Sequence, residues 1–587
     1  MSSKGIDFST VRRRCSKVAT RLFDDFDRKR RAILTDVARE FYPLGVAGLA
    51  KGAEDLSDEC PYDEDHRLLT AMPLEALRKG ACGFHGNLTP DDGERPWFRF
   101  VDRRSGVSGA EHLDRLTLAV ARVMHEAQNA LYKLYEHLLC FGFACMLMTR
   151  DERRVIRATT LRVGTYAMGV GADGEVCRVA RKFSWTAEQI ISRFGDAGCP
   201  ESVRAAARQG DDRSRWTVVN LVEPNASGDM RAYDEVAKAL GLDDSMVWRS
   251  VYWLEAAKDG DSQSGVLAVS GFTARPIIAP RLDWEPGDVY GRGRGIDALC
   301  VARGMQTFQY DILGVSGLRG KPPLVVSSEF KDDGFRAGRG GVNYARFGEQ
   351  RGALAYPVFA QLPDTEDMRL CRQDAQAEIA ELFFNSAFAT IDALKNNAGV
   401  KTATEVDALV RENMEKLNPV LTNLDRELLD PLVETVTRYA LAAGVPPLTP
   451  EDVRALGGAV DVEYVSKIHM AAKQSRISAM DQWLMRVTSA AQAFPQILDK
   501  VNADAVADEY AETLGVPAAM RAGDKVVAAT RQRREEEAAA QARLAKETAA
   551  ADALGKVARV GSVPTDADHL GGALLGGGAA NQEGAVA

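Results

Sequence analysis

Apolar residues recur along this chain with two different periods, and the places where the period changes divide it. From about Thr10 to Phe41, Val11, Val18, Leu22, Phe26, Ile33 and Val37 recur at helical spacing with arginines between them, which predicts an amphipathic helix closed by Phe41-Tyr42-Pro43. A second long helix is expected from about Gly109 to Leu147. Residues 155–284 change to alternation. Val163 to Val170, the turn Gly171-Ala172-Asp173-Gly174 and Glu175 to Phe183 read as one hairpin. Trp248, Ser250, Tyr252 and Leu254, a polar loop at Lys258 to Gly265, and Val266 to Phe272 read as another. Between the two, Thr186 to Phe194 predicts a short helix stopped by Gly195.

After Trp284-Glu285-Pro286-Gly287 the helical period returns, with Val301, Met305, Phe308, Ile312 and Val315 on one stripe. Asp297 to Leu318 then makes a rod of roughly 33 Å. The stretch Arg319 to Leu362 is rich in Gly and Pro and is not helical throughout. A second rod of roughly 45 Å is expected from Thr365 to about Lys395, with Met368, Cys371, Ala375, Ile379, Leu382 and Phe383 along its stripe. Asn396-Asn397-Ala398-Gly399 stops it, and Thr402-Ala403-Thr404-Glu405 opens the next helix as a capping box, Thr402 and Glu405 satisfying orphan N–H groups. Pro419 and Pro431 kink or split the helical region after that box. Beyond Val526 the chain is Ala-rich with Arg531/Glu535 and Arg533/Glu537 four apart, a helix without a wide apolar face, and from Gly561 onward its composition predicts disorder. The fold class read from this pattern is α+β, mainly α.

Composition narrows the function classes. With 587 residues, 45% of them hydrophobic and 27% charged, the chain buries more than one core. Seventy-four Lys and Arg against 83 Asp and Glu leave a net charge of −9, which argues against a protein that coats nucleic acid by bulk positive charge. Arg12 to Arg14 and Arg28 to Arg31 read as a solvated helix face rather than a site. Nine cysteines without a Cys-x-x-Cys pair read as reduced core thiols. The basic start has no apolar stretch after it, so no secretory signal is expected, and the longest apolar run, Leu138 to Met148, reads as a buried helix segment too short to span a bilayer.

Chemistry is conspicuous by omission. His112, His125 and His137 stand 13 and 12 residues apart, which does not match the short helical spacing of zinc sites, so no metal is expected. Lys321 is followed by Pro322 and Lys556 by Val557, so no phosphate-cradling loop ends in Gly-Lys-Ser/Thr. Gly291-Arg292-Gly293-Arg294-Gly295 precedes a helix as a dinucleotide turn does, without the G-x-G-x-x-G spacing. No nucleophile elbow or His-Glu-x-x-His pattern occurs. No catalytic residue, metal or cofactor is assigned, and the chain is read as a non-enzyme.

The order of a set of fragments is informative where each alone is not. Gly271-Phe272 with Pro276, Arg281 and Trp284 is followed by Tyr290-Gly291-Arg292-Gly293, the helix around Met305 to Leu313, and Pro322-Pro323. Thr402 to Val406 with Arg411, Leu428 to Val433, and Tyr464-Val465-Ser466 come next. Earlier echoes are Leu88-Thr89-Pro90, Trp97-Phe98, Phe141-Gly142, Phe194-Gly195 and Glu223-Pro224-Asn225. In this order they resemble the portal, or head-to-tail connector, of short-tailed bacterial viruses, the podoviruses. The resemblance implies a homo-oligomeric ring, usually a dodecamer, at one capsid vertex of the virion, made in the host bacterial cytoplasm. It also implies double-stranded DNA passing through a channel, a separate terminase motor, tail or adaptor proteins, and major capsid and scaffolding proteins as partners, with no membrane.

The family's parts then map as wing 1–290, stem helix 291–320, clip 321–363, second stem helix 364–395, tunnel loop 396–403, wing and crown helices 404–525, a C-terminal crown or barrel helix 526–560 and a tail 561–587. At the tunnel loop Lys395, Asn396, Asn397 and Lys401 are candidates to touch DNA, with helix termination as the alternative role. Tyr290, Gly291, Arg292 and Gly293 are read as a strand-to-helix turn with Tyr290 packed beneath it. Arg292 has two candidate partners, a neighbouring subunit's carboxylate or a group in its own chain. Two other functions stay open: a nucleotide-binding enzyme using Gly291–Gly295, and a non-portal scaffold or head protein.

Overall fold

In a computed structural model of the chain, the described residues are 8–49, 70–91, 96–102, 111–196, 198–225, 240, 245–256, 265–320, 324–326, 355–357, 364–393, 412, 416–445, 460–491, 494–513 and 524–560. They belong to two units, Met1–Gly515 and Val516–Ala587.

The first unit opens with α1 (Phe8–Phe26), a five-residue π-helical stretch Asp27–Arg31, and α2 (Ala32–Phe41). Val11, Cys15, Ala19, Phe23 and Phe26 face inward on α1, and Leu34, Val37, Ala38 and Phe41 do so on α2. The expected stripe fails at Ile33, which is 37% exposed. The π stretch puts an extra residue into one turn and hands the inward position to Leu34. Next come α3 (Met72–Leu88), β1 (Phe98–Asp102), α4 (Glu111–Met124), a 3₁₀ turn His125–Ala127 and α5 (Gln128–Phe141). The helix expected to reach Leu147 stops at Phe141 because Gly142 turns left-handed at φ 87°, its N–H held by the Leu138 carbonyl at 2.8 Å. Met146–Asp151 is instead strand β2, so the apolar run read as one helix segment is helix to Phe141, a connection over 142–145 and strand from Met146, with only Leu147 less than fully buried.

Strand β2 pairs antiparallel with β3 (Val155–Thr160) and, on its other edge, with β9 (Ile277–Ile278). A five-stranded antiparallel meander carries β4 (Tyr166–Val170), β5 (Val176–Thr186), β6 (Arg215–Pro224), β7 (Trp248–Leu254) and β8 (Val266–Phe272) in chain order. Both expected hairpins pair, with Met168 opposite Val179 and Ser250 opposite Ser270. Strand β6 lies at the centre and had no alternation to betray it, since Val218 to Glu223 are buried on both faces. Helix α6 (Ala187–Phe194) starts at a Thr186/Gln189 capping box. With α7 (Glu201–Arg208) it closes a small second core around Ile190, Val203, Val218 and Leu254.

Helix α8 (Leu299–Gly320) leads to a short antiparallel pair, β10 (Leu324–Val326) with β11 (Ala355–Pro357), and α9 (Glu366–Leu382) runs back beside it. The rest of the 321–363 segment lies outside the described residues. The second rod is not continuous to Lys395. It breaks at Phe383-Phe384, where Phe384 takes φ 62°, and α10 (Asn385–Ala393) follows. The two aromatic rings account for the break: Phe383 packs 5.4 Å from Phe41, and Phe384 sits 5.9 Å from Phe84. Cys371, expected on the buried stripe, is exposed, as are Cys82 and Cys300, while Cys15, Cys140, Cys145 and Cys199 are core thiols as expected.

Pro431 follows a second π stretch, Asp425–Leu429, at the start of α11 (Asp430–Ala442). Strand β12 (Val460–Tyr464) returns to pair with β1, Tyr464 opposite Phe98, and α12 (Lys467–Ala491) and α13 (Ala503–Thr513) complete the unit. The second unit contains α14 (Asp524–Val560), 37 residues long, whose described side chains are almost all exposed. Residues 561–587, expected to be a tail, lie outside the described residues. Among the described residues no helix is long and apolar enough to cross a membrane and no group of His, Cys, Asp and Glu is arranged to hold a metal.

Candidate functional site: the turn into helix α8

The turn ahead of α8 is built by backbone meeting backbone. A Cβ added to Gly142 would come 2.2 Å from the Gly293 nitrogen, one on Gly293 would come 2.3 Å from the Gly142 nitrogen, and one on Gly291 would come 2.3 Å from the Gly142 oxygen. Only glycine fits at these three positions. The contact is stitched by Leu282 N–H donating to the Gly142 carbonyl at 2.8 Å and Arg292 N–H to the Asp283 carbonyl at 2.7 Å. Tyr290 lies buried beneath, its ring 4.8 Å from Phe143 and 5.4 Å from Phe26, and its hydroxyl accepts the Met168 N–H at 2.9 Å. Burial pushes the phenol pKa up, so the hydroxyl stays neutral. Arg292 extends outward and pairs with Asp297 of its own chain at 2.6 Å. These glycines leave no space for a phosphate, because the room their missing side chains create is filled by residues 140–142.

Beside the turn sits Arg281, fully buried. Its backbone N–H and Nε donate to Glu427 Oε2 at 2.8 and 3.2 Å, and Nη2 donates to Glu427 Oε1 at 2.5 Å and to the Gly174 carbonyl at 2.9 Å. Nη1 donates to the Asp288 carbonyl at 2.9 Å, and the guanidinium lies 3.7 Å from the centre of the Trp284 ring. One side chain thus ties the β4–β5 turn, the loop before α8 and the π stretch before α11. Glu427 was not legible as its partner: 146 residues separate the two, and one sequence gives no sign of such a pairing.

Helices α8 and α9 form a helical hairpin in which Arg372 donates to Gln309 at 2.5 Å. At its base Leu299, Ala302 and Met305 are buried, and Arg303 reaches Asp36 of α2 at 2.9 Å. After Ile312 no α8 residue is buried. Tyr310, Leu313 and Leu318 stand exposed there, as does Leu370 on α9. The DNA-facing candidates Lys395, Asn396, Asn397 and Lys401, and the capping pair Thr402 and Glu405, lie outside the described residues.

His125 is a surface residue bonded to Asp91 at 2.6 Å, and His137 is buried with its pKa pushed down to about 3, first by burial and then by Lys133 and Arg162. Ser466, His469 and Asp425 are hydrogen-bonded in series, at 2.7 Å and 3.1 Å. Ser466 is only 1% exposed and its hydroxyl is engaged by the His469 ring at the start of α12, so the series fastens this helix start to the π stretch that holds Asp425 rather than presenting a nucleophile to a cleft.

Comparison with known proteins agrees with the order of elements. The family model described as "Bacteriophage head to tail connecting protein" matches residues 54–521. The "Probable portal protein" of Bordetella phage BPP-1 is 28% identical over 81% of this chain and 84% of its own length. The "Portal protein" of Salmonella phage epsilon15 is 27% identical over 78% of this chain and 80% of its own. A solved chain from the "Virion of native gene transfer agent (GTA) particle" aligns over 72% of this chain and 86% of its own at 12% identity, with a TM-score of 0.30 that adds no weight. The matched span holds the packed glycine turn, the arginine node and the helical hairpin together, and with it this chain belongs to the bacteriophage head-to-tail connecting proteins, the portal connectors.

Proposed function

We propose that copies of this chain, twelve by the family's usual number, close into a ring at one vertex of the capsid of a short-tailed virus. Double-stranded DNA enters the head through the channel and later leaves through it. The observation that carries this reading is the outer half of the α8–α9 hairpin, where Tyr310 is 68% and Leu313 51% exposed with no described residue of the same chain to cover them. Side-by-side hairpins in a closed ring bury such a face without leaving an open end. A chain of net charge −9 offers the duplex few bulk cations, which favours sliding over capture, and Lys395, Asn396, Asn397 and Lys401 are the transient phosphate contacts.

The ring is a conduit without its own catalysis, and a terminase motor supplies the work. Tail or adaptor proteins meet it outside the head, and capsid and scaffolding proteins meet it within, in a virion assembled in the bacterial cytoplasm. Residues 526–560 form a crown or barrel, and 561–587 are dispensable for assembly. Electron microscopy of the purified protein tests the reading directly: closed rings with a central pore are expected. A monomer that binds nucleotide tightly overturns it in favour of an enzyme, and shells or filaments overturn it in favour of a scaffold or head protein.

A further inference from the structure

A cleft of about 380 Å³ lies between α1 with its π stretch and the β4–β7 part of the meander. Leu22, Met168 and Val289 give it apolar lining, while Arg14, Arg21 and Lys29 stand along one side as cations. Besides Glu223, two carboxylates also line it, each already engaged: Asp25 pairs with Arg28 at 2.7 Å, and Asp288 accepts the Glu285 N–H at 3.4 Å, so the cations outnumber the acids. The other arginines of the cleft are already engaged: Glu223, itself buried, takes Arg249 at 2.6 Å and Arg178 at 3.2 Å, and Arg30 donates to the Tyr290 carbonyl at 3.2 Å. Arg14, Arg21 and Lys29 form no ion pair with any described residue. Arg14 and Arg21 are two turns apart on one helix, about 10.5 Å. A cationic side over an apolar floor selects its ligand. A duplex backbone satisfies the cations and gives the floor nothing, whereas an acidic polypeptide with apolar side chains between its carboxylates satisfies both.

The chain contains such a segment. Residues 54–65, Glu-Asp-Leu-Ser-Asp-Glu-Cys-Pro-Tyr-Asp-Glu-Asp, carry seven carboxylates and no cation, with Leu56 and Tyr62 among them, and lie outside the described residues. The described chain stops before it at Leu49, whose carbonyl accepts from Arg31 at 3.1 Å, one residue from the Arg30 that lines the cleft. Residues 50–53 between them span at most about 14 Å. We propose that residues 54–65 dock in this cleft of their own chain, carboxylates on Arg14, Arg21 and Lys29, apolar side chains on the floor. A tether this short holds the segment at high effective concentration. The pairing also explains why so basic a helix persists in an acidic protein.

Two measurements on the full-length protein test it. Carbodiimide coupling, read by mass spectrometry on a mixture of isotopically heavy and light protein, should join Lys29 to a carboxylate of residues 54–65 within one chain. Links only between heavy and light chains, or none, overturn the proposal. A labelled synthetic peptide of residues 53–65 should bind the variant with all seven carboxylates changed to amides at least about tenfold more tightly than it binds the wild-type protein, whose cleft is filled. Adding Arg14→Glu and Arg21→Glu to that variant should abolish the binding. Equal binding to wild type and variant, or displacement of the peptide by duplex DNA at equal charge concentration, overturns it.

Discussion

The base of α8 and its outer half belong to one helix, yet they are stabilised by different things. At the base, most polar groups that the turn buries are answered inside the chain, Arg281 by Glu427 and two carbonyls, Tyr290 by Met168 and Gly142 by Leu282, while the Trp284 ring N–H has no partner among the described residues. Beyond Ile312, α8 turns Leu313 and Leu318 to solvent, and the bond from Arg372 of α9 meets α8 just short of that stretch, at Gln309. The first region is fastened within its own chain, whereas the second leaves Leu313 and Leu318 open to solvent among the described residues.

The largest test of that contrast is Arg281→Met. It leaves Glu427 with its charge and no counter-ion and orphans two carbonyls, so subunit stability by urea unfolding should fall by about 3–5 kcal/mol. A loss under about 1 kcal/mol would mean the node anchors nothing. Gly293→Ala comes next, since its Cβ meets the Gly142 nitrogen at 2.3 Å and the Cys140 oxygen at 2.6 Å, neither of which can swing aside. A loss of about 2–3 kcal/mol is expected from the forced backbone shift.

The packed side also responds to acid through His137. Its folded-state pKa of about 3 lies below the ordinary 6.5, so the unfolded chain takes up the proton first. The stabilisation is fully present above pH 6.5 and drains as pH falls toward 3, amounting to a loss of about 2 kcal/mol at pH 5. His137→Gln should flatten that part of the stability–pH curve; an unchanged slope would show that the proton goes elsewhere. The smallest effect on the subunit is expected from Leu313→Asp, under about 0.5 kcal/mol by unfolding because the site is already 51% exposed. The same variant should lose rings in electron micrographs, and retention of rings would remove the outer face from the interface.

Legibility in the sequence is bounded by the information a period can encode. The two hairpins of the meander and the stripe Val301, Met305 and Ile312 were readable because one face was wet and the other dry. Strand β6 was missed because burial on both faces erases alternation, and Met146–Asp151 because an apolar run does not say where helix yields to strand. Phe384 is another kind of miss: nothing local predicts a left-handed phenylalanine, and only the rings of Phe41 and Phe84, hundreds of residues away in the chain, make that bend worthwhile. At the site, the glycines announced a tight turn, but their partner Gly142 and the reason for the fit belong to tertiary structure.

The π stretch at Asp27–Arg31 acts as a phase marker for the whole amino-terminal helix. Deleting one residue there would let the helix regularise at little local cost, but everything before it would rotate by about 100° relative to α2. Val11, Cys15 and Ala19 would swing out of the core, and Arg14 and Arg21 off the sheet. Length in this region is therefore quantised. Chains that share this packing should carry the extra residue inside 27–31 or lack it together with a re-phased apolar stripe upstream, and an engineered insertion two turns earlier should be tolerated only when a compensating deletion restores the phase.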